Sequence, residues 1–226
     1  MKKFVVLLGI FCCLFLFDGC NLTKEEKPTV DEQKFKTEYE SLNGQKNSSG
    51  KEYKSVSIPS KNYVTYINEE KVLEILKTGT GVIYFGYPEC PWCRTALPVL
   101  LEAMEAKNYQ QLYYFNALSI RDKKELKEDG TIETTQEGTK EYYEILDALG
   151  KYVDTYEGLN DNNIKRLYFP TVVFVKDGQI IGTHTSTIDS QEDPYLALSS
   201  DQKNELLKIY ENYFSELANN MCDEAC

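Results

Sequence analysis

The sequence predicts an α/β domain built on a central mixed β-sheet with helices on both faces. Strand-like and helix-like segments alternate through the first half of the chain, which favours parallel strands joined by helical crossovers. The last two strand-like segments, Thr171–Lys176 and Gln179–Thr185, instead flank an Asp177-Gly178 turn, which is typical of an antiparallel hairpin. A sheet that contains both kinds of pairing is mixed.

Each element has a signal of its own. Residues 63–67 alternate as a strand does, and the helix that follows begins after Asn68, a common N-cap residue, and ends at Gly79. The predicted elements are strands at 63–67, 82–85, 111–117, 171–176 and 179–185, helices at 69–77, 93–107, 140–152 and from about 201, and a charged, solvated loop at 121–137.

The first 19 residues have the composition of a signal peptide. Lys2 and Lys3 precede an uncharged apolar run, residues 4–17, that is too short to span a membrane. The Gly19-Cys20 junction resembles the lipobox of bacterial lipoproteins, in which the cysteine is lipidated and becomes the mature N-terminus. The alternative is an ordinary secretory leader followed by a chance cysteine. Both interpretations predict an exported protein, either anchored to the outer face of the bacterial cell membrane through Cys20 or secreted.

The rest of the chain divides into three parts. Residues 20–52 are rich in Lys, Glu, Asn, Ser and Gly and are predicted to be a flexible, lipid-anchored tether. Residues 53–221 hold all the predicted strands and helices and form one ordinary domain. Residues 222–226 are a short tail that contains cysteines. The formal net charge of −11 makes nucleic acid a poor partner, because phosphate binding needs clustered Lys and Arg.

The seven cysteines fit an exported redox protein. Cys12 and Cys13 leave with the leader and Cys20 would carry lipid, which leaves two pairs: Cys90 with Cys93, and Cys222 with Cys226. Two interpretations of the terminal pair stay open. It is either a small structural disulfide of little stabilising value, favoured because the spacing suits an intact helix poorly, or a second redox pair that relays to the first.

The segment Cys90-Pro91-Trp92-Cys93 carries the clearest chemical signal. It follows a buried strand-like run and opens a helix-like run. Two cysteines at this spacing can close a small disulfide, and a helix N-terminus favours the thiolate of the first. Thiol–disulfide exchange needs this arrangement, with Cys90 as the predicted nucleophile and Cys93, one turn inside the helix, as the resolving thiol.

Four features together resemble the thioredoxin superfamily over roughly residues 60–218. They are the Cys-x-x-Cys after a central strand, Pro98 five residues past the second cysteine, Phe169-Pro170-Thr171 opening a strand, and Lys176-Asp177-Gly178 closing that strand. The resemblance implies a thioredoxin-like fold with a helical insertion before the strand that begins at Thr171.

The same resemblance implies the substrate-binding residues. Pro170 would be a cis proline that faces the disulfide, and the backbone of Phe169 would be free to receive a peptide. An ordinary proline at the start of a strand is the alternative. The full set that the resemblance implies is Pro91, Trp92, Phe169, Pro170 and Thr171.

The chain departs from the family's pattern near the first cysteine. Many thioredoxins have a buried acid six residues before it, where this chain has Tyr84. Glu89 stands where tryptophan is usual, and the central dipeptide is Pro-Trp rather than Gly-Pro. The direction of electron flow stays open, because the reduction potential depends on the relative stabilities of the reduced and oxidised forms.

The leading hypothesis is an exported, membrane-tethered thiol–disulfide oxidoreductase that acts on protein disulfides and needs no cofactor. Its partners would be the thiols and disulfides of exported proteins or peptides, and a thiol electron donor or acceptor in the membrane. The long connection 119–167, residues 165–170 and the export signal also resemble bacteriocin transport accessory proteins. The alternative hypothesis is therefore a non-catalytic accessory or binding module for export of a secreted peptide.

A metal-binding role fits the sequence poorly. His184 is the only histidine, and the cysteine spacing makes a poor ligand set, so no metal site is predicted. His184 itself is predicted to be a solvated strand position, with a place near the active-site rim as the alternative.

Overall fold

The computed structural model describes residues 27–222, with side chains as far as residue 218. The described residues form five α-helices: α1 Val30–Glu40, α2 Glu69–Thr78, α3 Pro91–Ala106, α4 Lys140–Leu149 and α5 Ser200–Cys222. They form nine strands: β1 Val64–Tyr66, β2 Gly81–Phe85, β3 Leu112–Phe115, β4 Lys123–Leu126, β5 Ile132–Gln136, β6 Asp154–Thr155, β7 Lys165–Arg166, β8 Thr171–Lys176 and β9 Gln179–Thr185.

Five of these strands form the central sheet, in the order β1-β3-β2-β8-β9. β1, β3 and β2 are parallel, whereas β8 runs antiparallel to both of its neighbours. The mixed sheet and the final hairpin are therefore confirmed. The turn uses Asp177 (φ 47°) and Gly178 (φ 73°), and a Cβ on Gly178 would lie 2.2 Å from the Lys77 carbonyl oxygen. Only glycine fits this position without strain.

Helices cover both faces of the sheet, as in a thioredoxin-like fold. On one face α3 packs against α5, and Phe174 of β8 contacts Phe214 of α5 with 5.1 Å between ring centres. α1 covers the same face farther along, where Phe35 contacts Tyr114 of β3 at 5.0 Å. Because side chains alternate along a strand, the other face needs its own cover, and α2 and α4 pack together there.

The N-terminal segment corrects the predicted tether and domain boundary. Residues 30–40 form α1, whose start is fixed by reciprocal bonds between Thr29 and Glu32. Phe35 and Tyr39 are fully buried in the common core. Glu32 also accepts the Tyr63 N–H over 2.8 Å, which ties α1 to the start of β1. The domain therefore begins near residue 28 rather than at 53; residues 20–26 of the predicted tether lie outside the described part of the chain.

The insertion between β3 and β8 also differs from expectation. Residues 123–136 are not a loop but the hairpin β4–β5, whose side chains are mostly exposed and whose turn contains Gly130 at φ 83°. The helix expected at 140–152 ends at Leu149 and continues as a single 3₁₀ turn. A second small pair, β6–β7, follows before β8.

Candidate active site

The thiol pair lies where a buried strand meets the start of a helix. β2 ends at Phe85 and α3 begins at Pro91, with Cys90 as the N-cap residue. Proline suits the first helical position because its missing N–H would have no intrahelical acceptor. The backbone N–H of Cys93 donates to the Cys90 sulfur over 3.1 Å. This sulfur therefore lies at the positive end of the helix dipole, where negative charge is stabilised.

The two thiols differ in their access to solvent. Cys90 is 3% exposed and Cys93 is not exposed at all. Burial raises the pKa of Cys93 well above its ordinary value, and the neighbouring Cys90 sulfur raises it further. Cys93 is therefore held as a neutral thiol near neutral pH, and of the two residues only Cys90 reaches the surface.

The segment before β8 borders the thiol pair. β2 and β8 are paired so that Phe85 lies opposite Thr171, which brings residues 169–171 beside the start of α3. The Phe169–Pro170 peptide bond is cis, as the family resemblance implied. The Cys90 thiol donates to the Phe169 carbonyl oxygen over 3.5 Å.

The remaining residues of the implied substrate site occupy different environments. Pro91 and Trp92 are half-buried on the first turn of α3, next to Cys90. Thr171 is buried; its hydroxyl donates to the Tyr168 carbonyl over 2.9 Å and lies 3.2 Å from the Thr185 hydroxyl. The Thr171 side chain is thus engaged inside the domain rather than directed at a substrate.

A pair of tyrosines lies behind Cys93. Tyr84 occupies the position where many thioredoxins have an acid, and its hydroxyl lies 3.0 Å from the hydroxyl of Tyr39. Burial raises the pKa of both phenols well above the ordinary value, and Cys93 raises them further. A hydrogen bond from Tyr84 acts in the opposite direction on Cys93 and lowers its pKa. The sequence analysis did not identify Tyr39, although the helical spacing of Phe35 and Tyr39 indicated a buried helix face.

Arg94, the residue after Cys93, is a fully buried charge that the sequence reasoning also missed. Its guanidinium donates to the carbonyls of Lys54 (2.6 Å), Tyr39 (2.9 Å) and Pro88 (3.0 Å), and to Oδ1 of Asn43 (2.7 Å). Burial lowers its pKa. Arg94 is the only charged residue between positions 90 and 101, a largely apolar stretch, which was the available signal. It joins the N-terminal segment and the loop before Cys90 to the active-site helix.

An aromatic and cationic rim borders Phe169. The rings of Tyr87 and Phe169 meet edge to face with 5.4 Å between centres. The guanidinium of Arg121, from the insertion, lies 4.8 Å from the centre of the Phe169 ring. Tyr87 feels the charges of both Cys90 and Arg121, although burial is the main reason why its pKa is raised to about 12. The insertion therefore contributes directly to the surroundings of the thiol pair.

His184 is a partly buried residue of β9 rather than the predicted solvated strand position. It lies opposite Val172 on β9, its Nε2 donates to the Thr187 carbonyl, and its ring packs edge to face on Tyr210 at 5.5 Å. Burial lowers its pKa. Within residues 27–218, no group of three or more histidine, cysteine or acidic side chains is placed to hold a metal ion.

The remaining predictions for cysteines concern lipidation of Cys20 and the terminal pair of Cys222 and Cys226. Cys20 and Cys226 lie outside the described residues, so lipidation and the terminal disulfide stay predictions. α5 runs beside α3, with Lys203 2.6 Å from Glu102 and Glu211 4.0 Å from Lys107. It therefore reaches the end of α3 that is remote from Cys90 and continues to Cys222.

No described helix combines the length and apolar character that crossing a membrane requires. No protein-family profile and no curated protein sequence match the chain. Among solved structures, the chain is similar to the crystal structure of thioredoxin O2 from Arabidopsis thaliana in the oxidized state. The TM-score is 0.32 and the identity 18%, over 56% of this chain and 85% of that one.

Proposed function

We propose that the protein is an extracytoplasmic, membrane-tethered thiol–disulfide oxidoreductase that acts on protein disulfides through Cys90 and Cys93. The position of the Cys90 sulfur carries this proposal. It accepts the Cys93 N–H at the start of α3 and lies 3.5 Å from the Phe169 carbonyl. An outer thiol at a helix N-terminus, with a second thiol one turn inside, is the arrangement that exchange requires.

In the reducing direction, the Cys90 thiolate attacks one sulfur of a partner disulfide. The partner's S–S bond breaks, its second sulfur leaves as a thiolate and takes a proton, and a mixed disulfide joins Cys90 to the partner. Cys93 then loses its proton and attacks the Cys90 sulfur, which releases the partner's first sulfur and forms the Cys90–Cys93 disulfide. Two electrons have passed to the partner, and a membrane dithiol would restore the pair. The same steps in reverse oxidise a partner dithiol.

An extended partner segment would lie along the border between Pro170 and the first turn of α3. Pro91 and Trp92 present half-buried side chains beside Cys90. Main-chain hydrogen bonds with the segment before β8 would supply affinity that does not depend on the partner's sequence. This mode of docking suits an enzyme with several protein substrates.

Cys20 is the proposed lipid anchor. Because the folded domain includes the chain from about residue 28, few residues separate it from the anchor, and residues 21–27 span at most about 25 Å. The thiol pair would therefore act close to the outer face of the cell membrane. Mass spectrometry of the mature protein decides the point: an unmodified Cys20, or an N-terminus elsewhere, would refute the anchor.

Capture of partners tests the enzyme itself. The Cys93→Ser variant should accumulate mixed disulfides through Cys90, because removal of the second thiol blocks the fast intramolecular release. Cys90→Ser is the matched control and should trap far less, since Cys93 is fully buried. Pro170→Thr should prolong the complexes if this proline shapes the docking border. Non-reducing gels of native cell envelope report the adducts.

The alternative function predicts a different result. A thioredoxin-like accessory module for a secreted peptide would bind its partner without a covalent step. If Cys93→Ser yields no thiol-sensitive adduct while the protein still binds a partner, the enzyme proposal fails and the accessory function replaces it.

A further inference from the structure

The chain has three arginines, of which Arg94 directly follows Cys93 and Arg121 lies over the ring of Phe169. Arg94 is buried and its donors are engaged. Arg121 and Arg166 come from the insertion and are half-buried. Arg121 donates to the Leu167 carbonyl over 3.2 Å and lies over the ring of Phe169, whose carbonyl is 3.5 Å from the Cys90 sulfur. A single residue thus separates this guanidinium from the nucleophile.

Arg166 extends the same cationic surface. Its guanidinium lies 4.0 Å from the centre of the Tyr156 ring and 5.9 Å from that of Tyr168. Burial lowers the pKa of Arg166, and the charge of Arg121 lowers it further. Because Arg121 donates to the carbonyl of Leu167, the residue after Arg166, both arginines belong to the same part of the surface.

Neither Arg121 nor Arg166 forms an ion pair with a carboxylate among the residues whose side chains are described. The nearby carboxylate of Asp122 is buried and lies 3.5 Å from the Lys124 ammonium. Glu89, exposed next to Cys90, pairs with neither arginine. The charge of Asp122 acts on Arg166, but no described carboxylate lies within ion-pair distance of either arginine. Two cations in one region without an ion pair are unexpected in a chain with 36 acidic and 25 basic residues, and such exceptions concentrate at functional sites.

We propose that Arg121 and Arg166 bind a carboxylate of the protein substrate, so that the enzyme prefers cysteines with Asp or Glu a few residues away. The inference rests on the proposed function, because it names the substrate class of the same site. A guanidinium offers a planar fork that matches a carboxylate through two hydrogen bonds. The rings beneath these two arginines orient the planes while leaving most N–H groups available.

The dimensions of an extended peptide agree with this assignment. Each residue advances about 3.3 Å, so a side chain two to four residues from a cysteine docked at Cys90 covers the distance to the Arg121 guanidinium over Phe169. The net charge of −11 repels acidic partners over most of the surface. A local cationic patch therefore favours one orientation of an acidic segment and raises its association rate.

Kinetics with a matched pair of peptides test the inference. Two disulfide-bonded peptides would differ only in Glu or Gln at positions two to four residues from each cysteine. The wild-type full-length mature protein should prefer the Glu peptide by about tenfold in kcat/KM at low ionic strength, and salt should reduce that preference. Arg121→Gln and Arg166→Gln should each lower the preference, because each slows the Glu peptide more than the Gln peptide. Lys208→Gln, an exposed charge on α5, is the control that removes the same charge elsewhere.

Each outcome has a defined meaning. Equal use of the two peptides by the wild type, or an unchanged preference in both arginine variants, overturns the carboxylate site while leaving the oxidoreductase in place. Loss of turnover of both peptides in the Arg121→Gln variant would show a structural role for Arg121 at Phe169. The preference of the Arg166→Gln variant for the Glu peptide then tests the carboxylate site: a lower preference supports it and an unchanged one overturns it. If neither peptide is turned over by the wild type, the proposed function fails instead. Binding of the reduced peptides to Cys90→Ser, read from Trp92 fluorescence, then supports the carboxylate site if Glu binds more tightly and overturns it otherwise.

Discussion

The hydroxyl groups of Tyr39 and Tyr84 lie 3.0 Å apart in the core behind Cys93, and they join the N-terminal helix to the central strand of the sheet. Because burial raises the pKa of both phenols, they stay neutral at physiological pH. A neutral phenol donates a hydrogen bond but takes no proton. Tyr84 can therefore stabilise negative charge on Cys93, yet it does not act as the base that an acid at this position would be.

The tyrosine pair leads to a prediction about stability. Tyr84→Phe leaves the Tyr39 hydroxyl buried without its partner and should lower the free energy of unfolding by about 1–3 kcal/mol. The double variant Tyr39→Phe/Tyr84→Phe should cost less than the sum of the two single changes, because it leaves no orphaned hydroxyl. Urea unfolding measures all three. Tyr113→Phe, on the opposite face of the sheet, is the control; additive losses would contradict a coupled pair.

Local patterns were sufficient for most of the fold. The hairpin turn needs positive φ angles at Asp177 and Gly178, and an Asp-Gly dipeptide favours them. β8 and β9 begin and end at the predicted residues. The cis bond before Pro170 agreed with the family resemblance. These features depend on short stretches of sequence, where turn chemistry and apolar runs are direct signals.

The prediction of a flexible tether was wrong for α1 because it relied on the polar composition of residues 20–52 and not on the helical spacing of Phe35 and Tyr39. α1 is mostly charged, and only Phe35 and Tyr39 among its residues are large buried hydrophobics. Its position is set by tertiary contacts, above all those of Arg94, which no local pattern reveals. The approach of Arg121 to Phe169 likewise depends on the path of the insertion. Residues 48 positions apart meet there only because the chain folds back.

Arg94 is predicted to hold the N-terminal segment on the domain. Arg94→Met should lower the free energy of unfolding by roughly 3 kcal/mol or more, because it leaves several buried acceptors without donors. Proteolysis of the native protein should become faster within residues 41–57, which Arg94 anchors through Asn43 and Lys54. Arg121→Met, a half-exposed arginine with one main-chain bond, is the control for stability and should cost about 1 kcal/mol. Equal losses in the two variants would show that the anchor is unimportant.

Truncation distinguishes a tether from a domain segment. Removal of residues 1–26 should leave thermal stability unchanged, whereas removal of residues 1–52 deletes two fully buried aromatic side chains and exposes the face of the sheet that α1 covers. Loss of a large buried aromatic costs about 3–5 kcal/mol, so the shorter protein should not fold cooperatively. Calorimetry or thermal circular dichroism measures both. Similar melting temperatures for the two truncations would restore the tether interpretation.

His184 gives the protein a defined dependence of stability on pH. Its pKa is lowered mainly by burial, although the Thr187 carbonyl and Asp189 act in the opposite direction. The unfolded chain, with an ordinary histidine pKa near 6.5, therefore binds a proton before the folded protein does. This contribution to stability is present above that pKa and is lost as the pH falls through the lower pKa of the folded state.

The His184→Gln variant isolates this effect, because the chain has one histidine and glutamine keeps a donor for Thr187. The difference in free energy of unfolding between wild type and variant should be constant above about pH 7.5, since neither state then binds the proton. From about pH 6.5 downward, the wild type should lose stability relative to the variant, while the carboxylates common to both cancel. Urea unfolding at intervals between pH 8 and 5 measures the difference. A difference that stays constant over this range would show that His184 titrates alike in the folded and unfolded states; one that grows in favour of the wild type on acidification would show that its pKa is raised by folding.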